Sequence, residues 1–205
     1  MNLFDRVNKG YSEAFQKFGD SAAAVQIPKN NQAVRFDSVL RYLPEPNQKT
    51  LSIVDFGCGL AHLHDYLEKN LEIPFQYTGV EINPDFLGFN KRKYNSPNFV
   101  ERDEFFSRDE RYDIITSIGT FNIVYADDVQ KHKEFVYTEI VKLWEKTDSL
   151  LHLNFMSTVV DYSQAGAYHQ DVGDLYSFIC KNLSRELIID SSYLPYEFSA
   201  IIRKG

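Results

Sequence analysis

The chain has 205 residues, 22 Lys and Arg against 29 Asp and Glu, and two cysteines. That length fits one domain with a sizeable core, and a formal charge of −7, with Lys91-Arg92-Lys93 as the dense basic run, leaves no electrostatic footprint for a polyphosphate backbone. Two cysteines are too few for a disulfide framework, the N-terminus lacks an apolar signal core, and no stretch approaches the roughly 20 apolar residues of a membrane span, so a soluble, unexported protein of a reducing cytoplasm is expected.

Leu3, Phe4, Val7, Tyr11, Ala14, Phe15 and Phe18 recur at three- and four-residue spacing, which predicts an amphipathic helix interrupted or bent near Gly10. From Gly19 to Asn31 the chain holds Pro28, several alanines and polar residues and reads as a mobile connection. Helical spacing resumes from Asn31 to Leu43, ended by Pro44 and Pro46, with Gln32 and Arg35 on one side. The planar fork of Arg35 suits a carboxylate or a phosphate, and a simple surface ion pair is the other reading.

Leu51 to Ala61, Leu-Ser-Ile-Val-Asp-Phe-Gly-Cys-Gly-Leu-Ala, reads as a buried strand and a glycine turn that opens a helix through Lys69. Strand, turn and helix N-terminus together make a place for a nucleotide-like ligand. His62 stands three residues after Gly59, where a dinucleotide fingerprint requires glycine, so an oxidoreductase reading weakens. A second strand from Phe75 to Ile82 carries Glu81, 22 residues beyond Gly59, an acidic side chain able to accept both hydroxyl protons of a ribose.

A helix from Pro84 to about Tyr94 buries Phe86 and Leu87, and Asn98 to Arg102 is a short third strand. Tyr112 to Ile118 is a fourth strand that opens into Ser117-Ile-Gly-Thr-Phe-Asn122. Asp128 to Lys146 is a long helix with Val129, Phe135, Val136, Ile140, Leu143 and Trp144 inward. Leu150 to Met156 is a fifth strand in which His152 and Asn154 alternate with Leu151, Leu153 and Phe155. Asp171 to Asn182 is the last helix, and Glu186–Ile189 with Phe198–Arg203 reads as a closing antiparallel pair. The alternation implies an α/β fold with a seven-stranded, mostly parallel sheet, helices on both faces and a C-terminal antiparallel hairpin.

Asp55-Phe-Gly57-Cys-Gly59-Leu-Ala61 resembles the first motif of class I S-adenosylmethionine-dependent methyltransferases, an acidic residue followed by Gly-x-Gly-x-Gly, with Ala61 at the third glycine as a change of bulk alone. Phe18–Ser21, Asn31–Phe36, Gly119–Asn122 and Leu194–Phe198 add a closer resemblance to small bacterial methyltransferases of surface-polysaccharide or small-metabolite modification. The resemblance implies a Rossmann-like sheet of order 3-2-1-4-5-7-6 in a single domain, with residues 1–46 as a helical lid region and 47–205 as the cofactor-binding core. It implies S-adenosylmethionine as cofactor, held by Asp55, Gly57, Cys58, Gly59, Glu81 and Ile82, with Ser117 and Gly119 at the methionine part. Asp103 would receive the adenine amino group, its register shared with Glu101 and Glu104, and Arg35 would meet the methionyl carboxylate or an acidic group of the substrate.

Methyl transfer to a hydroxyl or amine also needs a base. His152 is one candidate, a hydrogen-bonded core histidine being the alternative; Tyr11 on the lid is another, plain packing being the alternative. Tyr125, Asn154, Asp161, Tyr162, Tyr168 and His169 follow strands four and five and are candidate substrate contacts. His62 and His64, two apart on a helix, face different sides, so no metal is expected. A small polar metabolite, such as a sugar or a phosphorylated amino alcohol, is the expected acceptor, with no nucleic acid or membrane as partner. A methyltransferase fold serving as a non-catalytic binder or partner subunit is the alternative.

Overall fold

The computed structural model describes residues 4–27, 31–44, 50–95, 97–125, 128–163 and 166–205. Leu3, Pro28 and Pro46, used above to place the first two helices, lie outside them. The chain divides into two compact units, Met1–Asp109 and Glu110–Gly205.

The first unit holds helices α1 (Asp5–Phe18) and α2 (Asn31–Leu40), then strand β1 (Leu51–Phe56), α3 (His62–Asn70), β2 (Phe75–Glu81), α4 (Pro84–Lys93), β3 (Asn98–Glu101) and α5 (Arg102–Ser107). Its strands lie parallel in the order β3-β2-β1, with Asp55 opposite Gly79 and Glu81 opposite Glu101. Gly79 has no room for a side chain, because a Cβ there would lie 2.7 Å from the Phe99 ring and 2.9 Å from Cys58 Sγ. α1 runs unbroken through Gly10, where nothing stands within 4 Å of a built Cβ. The described part of the stretch after Gly19, residues 20–27, expected as a mobile connection, is a series of turns that buries Ala24 against Leu60 and Phe86. Its alanines are small enough to let the backbone close on the core. Helix α5 has no counterpart in the expected elements; six residues give too little periodicity to read.

The second unit holds β4 (Tyr112–Ile118), a single 3-10 turn at Thr120–Asn122, α6 (Val129–Lys146), β5 (Thr147–Ser157), β6 (His169–Gln170), α7 (Val172–Asn182), β7 (Leu187–Asp190) and β8 (Glu197–Arg203). Its order is β4-β5-β8-β7, with β4 parallel to β5 and β5, β8 and β7 antiparallel in turn. The two-residue β6 pairs parallel with Met156 and Ser157, beyond the point where β4 ends beside Asn154. It makes eight strands among the described residues, so the expected terminal order 7-6 is β8-β7 here. Helix α6 buries His132, Val136, Glu139, Ile140 and Leu143. Val129, expected inward, is 61% exposed because it opens the helix behind the Asp128 cap.

Candidate functional site

In the first unit, β1 ends in a turn whose glycines both have positive φ, +81° at Gly57 and +54° at Gly59, the region that a side chain disfavours. Ala61 also lies in the left-handed region, at φ 57°, so the third position of the motif differs from glycine in backbone preference and not in bulk alone. Val25 Cγ1 would stand 2.9 Å from a Cβ at Gly59, and Asn90 Nδ2 donates to the Gly59 carbonyl at 2.7 Å, tying the turn to α4.

Glu81, at the end of β2, is buried and receives three backbone donors: Gly59 N–H on Oε2 at 2.7 Å, and Ile82 and Asn83 N–H on Oε1 at 2.8 Å each. Burial raises its pKa, opposed by those three hydrogen bonds. A carboxylate offers about four lone-pair sites. One therefore remains, on Oε2, so accepting both ribose hydroxyls requires Gly59 N–H to release its hold. Asp55 is fully enclosed and accepts from Tyr77 Oη at 2.7 Å. Burial raises its pKa to about 7, the Tyr77 hydrogen bond opposing and the Glu81 charge adding to the rise. Cys58 is buried, and burial followed by the Glu81 and Asp55 charges pushes its thiol up, which leaves it inert as a nucleophile.

Helix α1 closes on the loop after β2, and α2 on the start of α3. Asn8 Nδ2 donates to the Ile82 carbonyl at 3.3 Å, and Asn83 Nδ2 donates to the Asn8 carbonyl at 3.0 Å and to Ser12 Oγ at 3.2 Å. Tyr11 meets Phe86 edge-on at 5.8 Å. Its phenol is raised by burial and then by the Glu81 charge, with the Arg35 charge opposing, so it stays protonated at neutral pH and serves as a donor more readily than as a base. Arg35 is 8% exposed, which takes it out of the surface ion-pair reading. His62 is held at both ring nitrogens, by Gln32 at 2.9 Å and Asp20 at 2.8 Å. Asp103 stands in the first turn of α5, its side chain 90% exposed and paired with Arg102. Glu101 and Glu104 are exposed as well.

In the second unit, Ser117 and Gly119 stand at the carboxyl end of β4. Ser117 Oγ is buried without a hydrogen-bond partner, and Gly119 has φ +71°. His152 is wholly enclosed with Nδ1 3.1 Å from Thr116 Oγ1, and burial lowers its pKa to about 4. That places it as a core histidine out of a substrate's reach. Asn154 is also enclosed and donates to Tyr193 Oη at 2.7 Å and Glu197 Oε2 at 3.0 Å. Tyr125 Oη donates to the Thr120 carbonyl at 2.9 Å. Asp161 is exposed and accepts from Tyr196 Oη at 2.6 Å, and Tyr162 is 71% exposed. Tyr168 is buried, its hydroxyl donating to Gln170 Oε1 at 2.8 Å inside the packing.

Sequence reasoning missed Asn8, Ser12, Tyr77, Asn83 and Asn90. Asn83 alone carried a signal, an Asn directly before a Pro at the first helical position. Among the described residues no group of three or more His, Cys, Asp and Glu is placed to hold a metal, and no helix is long and apolar enough to cross a membrane.

A family model described as a methyltransferase domain matches residues 29–126, the stretch that includes the glycine turn, Glu81 and the end of β4. That match spans 98 of the 205 residues. Solved structures with the same fold include a TehB-like SAM-dependent methyltransferase from Corynebacterium glutamicum, 14% identical, with 98% of this chain and 99% of that one covered at a TM-score of 0.58. The plantazolicin methyltransferase BpumL, in complex with a triazolic desmethylPZN analog and SAH, is 14% identical over 97% of this chain and 96% of that one at a TM-score of 0.61. A methyltransferase described as putative, in complex with the Haloferax volcanii Trm112 methyltransferase activator, is 11% identical over 98% and 95% at 0.56. No curated protein sequence matches the chain. The fold is one shared with S-adenosylmethionine-dependent methyltransferases. The first unit's residues fit S-adenosylmethionine: two positive-φ glycines and an acidic strand end with one lone pair to offer.

Proposed function

We propose that this protein is an S-adenosylmethionine-dependent methyltransferase that transfers a methyl group to an oxygen or nitrogen of a small polar metabolite, a sugar or a phosphorylated amino alcohol being the class in view. The observation that carries the cofactor half of this reading is the Gly59–Glu81 contact, which fixes an acidic side chain beside a glycine turn at the ends of two adjacent parallel strands. Bound S-adenosylmethionine supplies a methyl group on a sulfonium, open to in-line displacement. Glu81 would hold the ribose, the Gly57–Gly59 backbone with Asp55, Cys58 and Ile82 would shape the wall, Asp103 would take the adenine amino group, and Arg35 would meet the methionyl carboxylate or an acidic group of the substrate.

Arg35 is proposed for such a carboxylate on the planar fork of its guanidinium. The acidic charge supports a metabolite over nucleic acid, and the free thiols of Cys58 and Cys180 support a reducing compartment.

Calorimetric titration with S-adenosylhomocysteine tests the reading. Binding by the wild-type protein, weakened about tenfold or more in Glu81→Gln through loss of a charged hydrogen bond worth about 1.5–3 kcal/mol, is expected. A folded wild-type protein that does not bind sinks the enzymatic reading, and equal affinities remove Glu81 from the site.

A further inference from the structure

Two segments of the second unit, residues 147–180 and 186–202, contain no Lys or Arg but seven Asp and Glu. The loop after β5 and the loop between β7 and β8 both fall within them. Where those loops meet, three exposed side chains come together. Tyr162, 71% exposed, and Tyr196, 37% exposed, stand with ring centroids 6.4 Å apart and planes at 67°, two walls of a corner open to water. Asp161 accepts from Tyr196 Oη at 2.6 Å, which sets a carboxylate at the hydroxyl end of one wall.

Exposed acids elsewhere on the chain pair with cations: Asp20 with Lys93, Asp103 with Arg102, Asp148 with Arg111 and Asp174 with Lys133. Asp161 has no cationic partner among the described residues. Its hydrogen bond comes from a neutral phenol, which leaves the negative charge whole. The corner also stands on tied backbone. Ser157 N–H donates to the Tyr196 carbonyl at 2.9 Å, joining the two loops, and Val159 N–H donates to Ser157 Oγ at 3.0 Å. Val160 N–H reaches the Thr158 carbonyl at 3.1 Å, and His169 Nδ1 donates to the Ser157 carbonyl at 2.7 Å. Walls mounted on a tied backbone lose less freedom when they receive a ligand.

We propose that this corner binds the alkylated ammonium group of a small organic cation. A cation is attracted to the negative face of an aromatic ring within about 6 Å of its centroid. Centroids 6.4 Å apart leave room for one ammonium at about 5 Å from both at once. Asp161 supplies the full charge that selects a cation over a neutral group of the same shape. A bare ammonium is strongly hydrated, whereas an alkylated one has less water to lose at an exposed aromatic surface. Neither segment offers a Lys or Arg to hold a carboxylate or phosphate, so the ligand is a cation of the choline kind without an acidic group. Binding there requires nothing of the first unit.

The test uses full-length protein with 13C-labelled tyrosine rings, Tyr162→Leu and Tyr196→Leu assigning the two resonances. Choline chloride is titrated at constant ionic strength against sodium chloride, alongside its uncharged isostere, in which a quaternary carbon replaces the nitrogen. Saturable shifts of both rings with choline are expected at a Kd on the order of 1–10 mM, with the isostere at least about fivefold weaker. Asp161→Asn is expected to weaken choline about threefold or more and to leave the isostere unchanged. Betaine, the same head group carrying a carboxylate, is expected to bind about threefold or more weaker than choline. Equal affinities for choline and the isostere would reduce the corner to an apolar patch and overturn the proposal. So would the absence of a saturable shift below about 100 mM choline, an Asp161→Asn variant that binds as the wild type does, or betaine bound as tightly as choline.

Discussion

Asp55 is enclosed completely and has the Tyr77 hydroxyl as its donor. Burial lifts its pKa from 3.8 to about 7, and the direction fixes how stability follows pH. Below about pH 4 the carboxyl is protonated in both the folded and the unfolded chain, and its contribution is fully present. Between about pH 4 and 7 the unfolded chain releases the proton first, so folding loses stability progressively, by about 1.4 kcal/mol for each step of one in pH. Above the folded pKa the loss is complete. Asp55→Asn is expected to remove this dependence: in cofactor-free denaturation at pH 4.5, 6 and 8, the stability of the wild type relative to the variant should fall with each step. A constant difference across the three would show that Asp55 keeps an ordinary pKa in the fold.

At the scale of elements, Asn83 joins two helices. Its Oδ1 caps α4 through Asp85 N–H at 2.9 Å and Phe86 N–H at 3.2 Å, while its Nδ2 reaches α1. Asn83→Ala should cost about 2 kcal/mol in urea denaturation, the cap and the clasp together, and Ser12→Ala about 0.5–1 kcal/mol. Equal effects would mean that the cap contributes nothing. The elements themselves were largely legible, because β1, β2, β4 and β5 are apolar runs bounded by turn residues and α6 carries a clear helical stripe. α5 and β6 were not, being too short for a period. In the candidate site the glycine turn and Glu81 followed from spacing. The clasp of Asn8, Ser12 and Asn83 did not, since its partners are 71 to 75 residues apart in the chain.

For the molecule as a whole, an excess of seven acidic groups and a pI near 5.2 set how it meets polyanions. At pH 7.5 and low salt it is expected in the flow-through of a heparin column; retention beyond about 0.2 M salt would reveal a concentrated basic surface and reopen a nucleic-acid substrate. The chain also shows how such a fold manages an anion in its interior, with Glu81 gripped by three backbone N–H groups before any ligand arrives. In the proposed ribose site, a sugar with two neighbouring hydroxyls would meet an acceptor open to the first and to the second only in exchange for Gly59. The second hydroxyl gains one hydrogen bond for one lost, so this carboxylate acts as a gauge of ligand identity more than as a source of grip, and the grip must come from the surfaces that enclose the rest of the molecule.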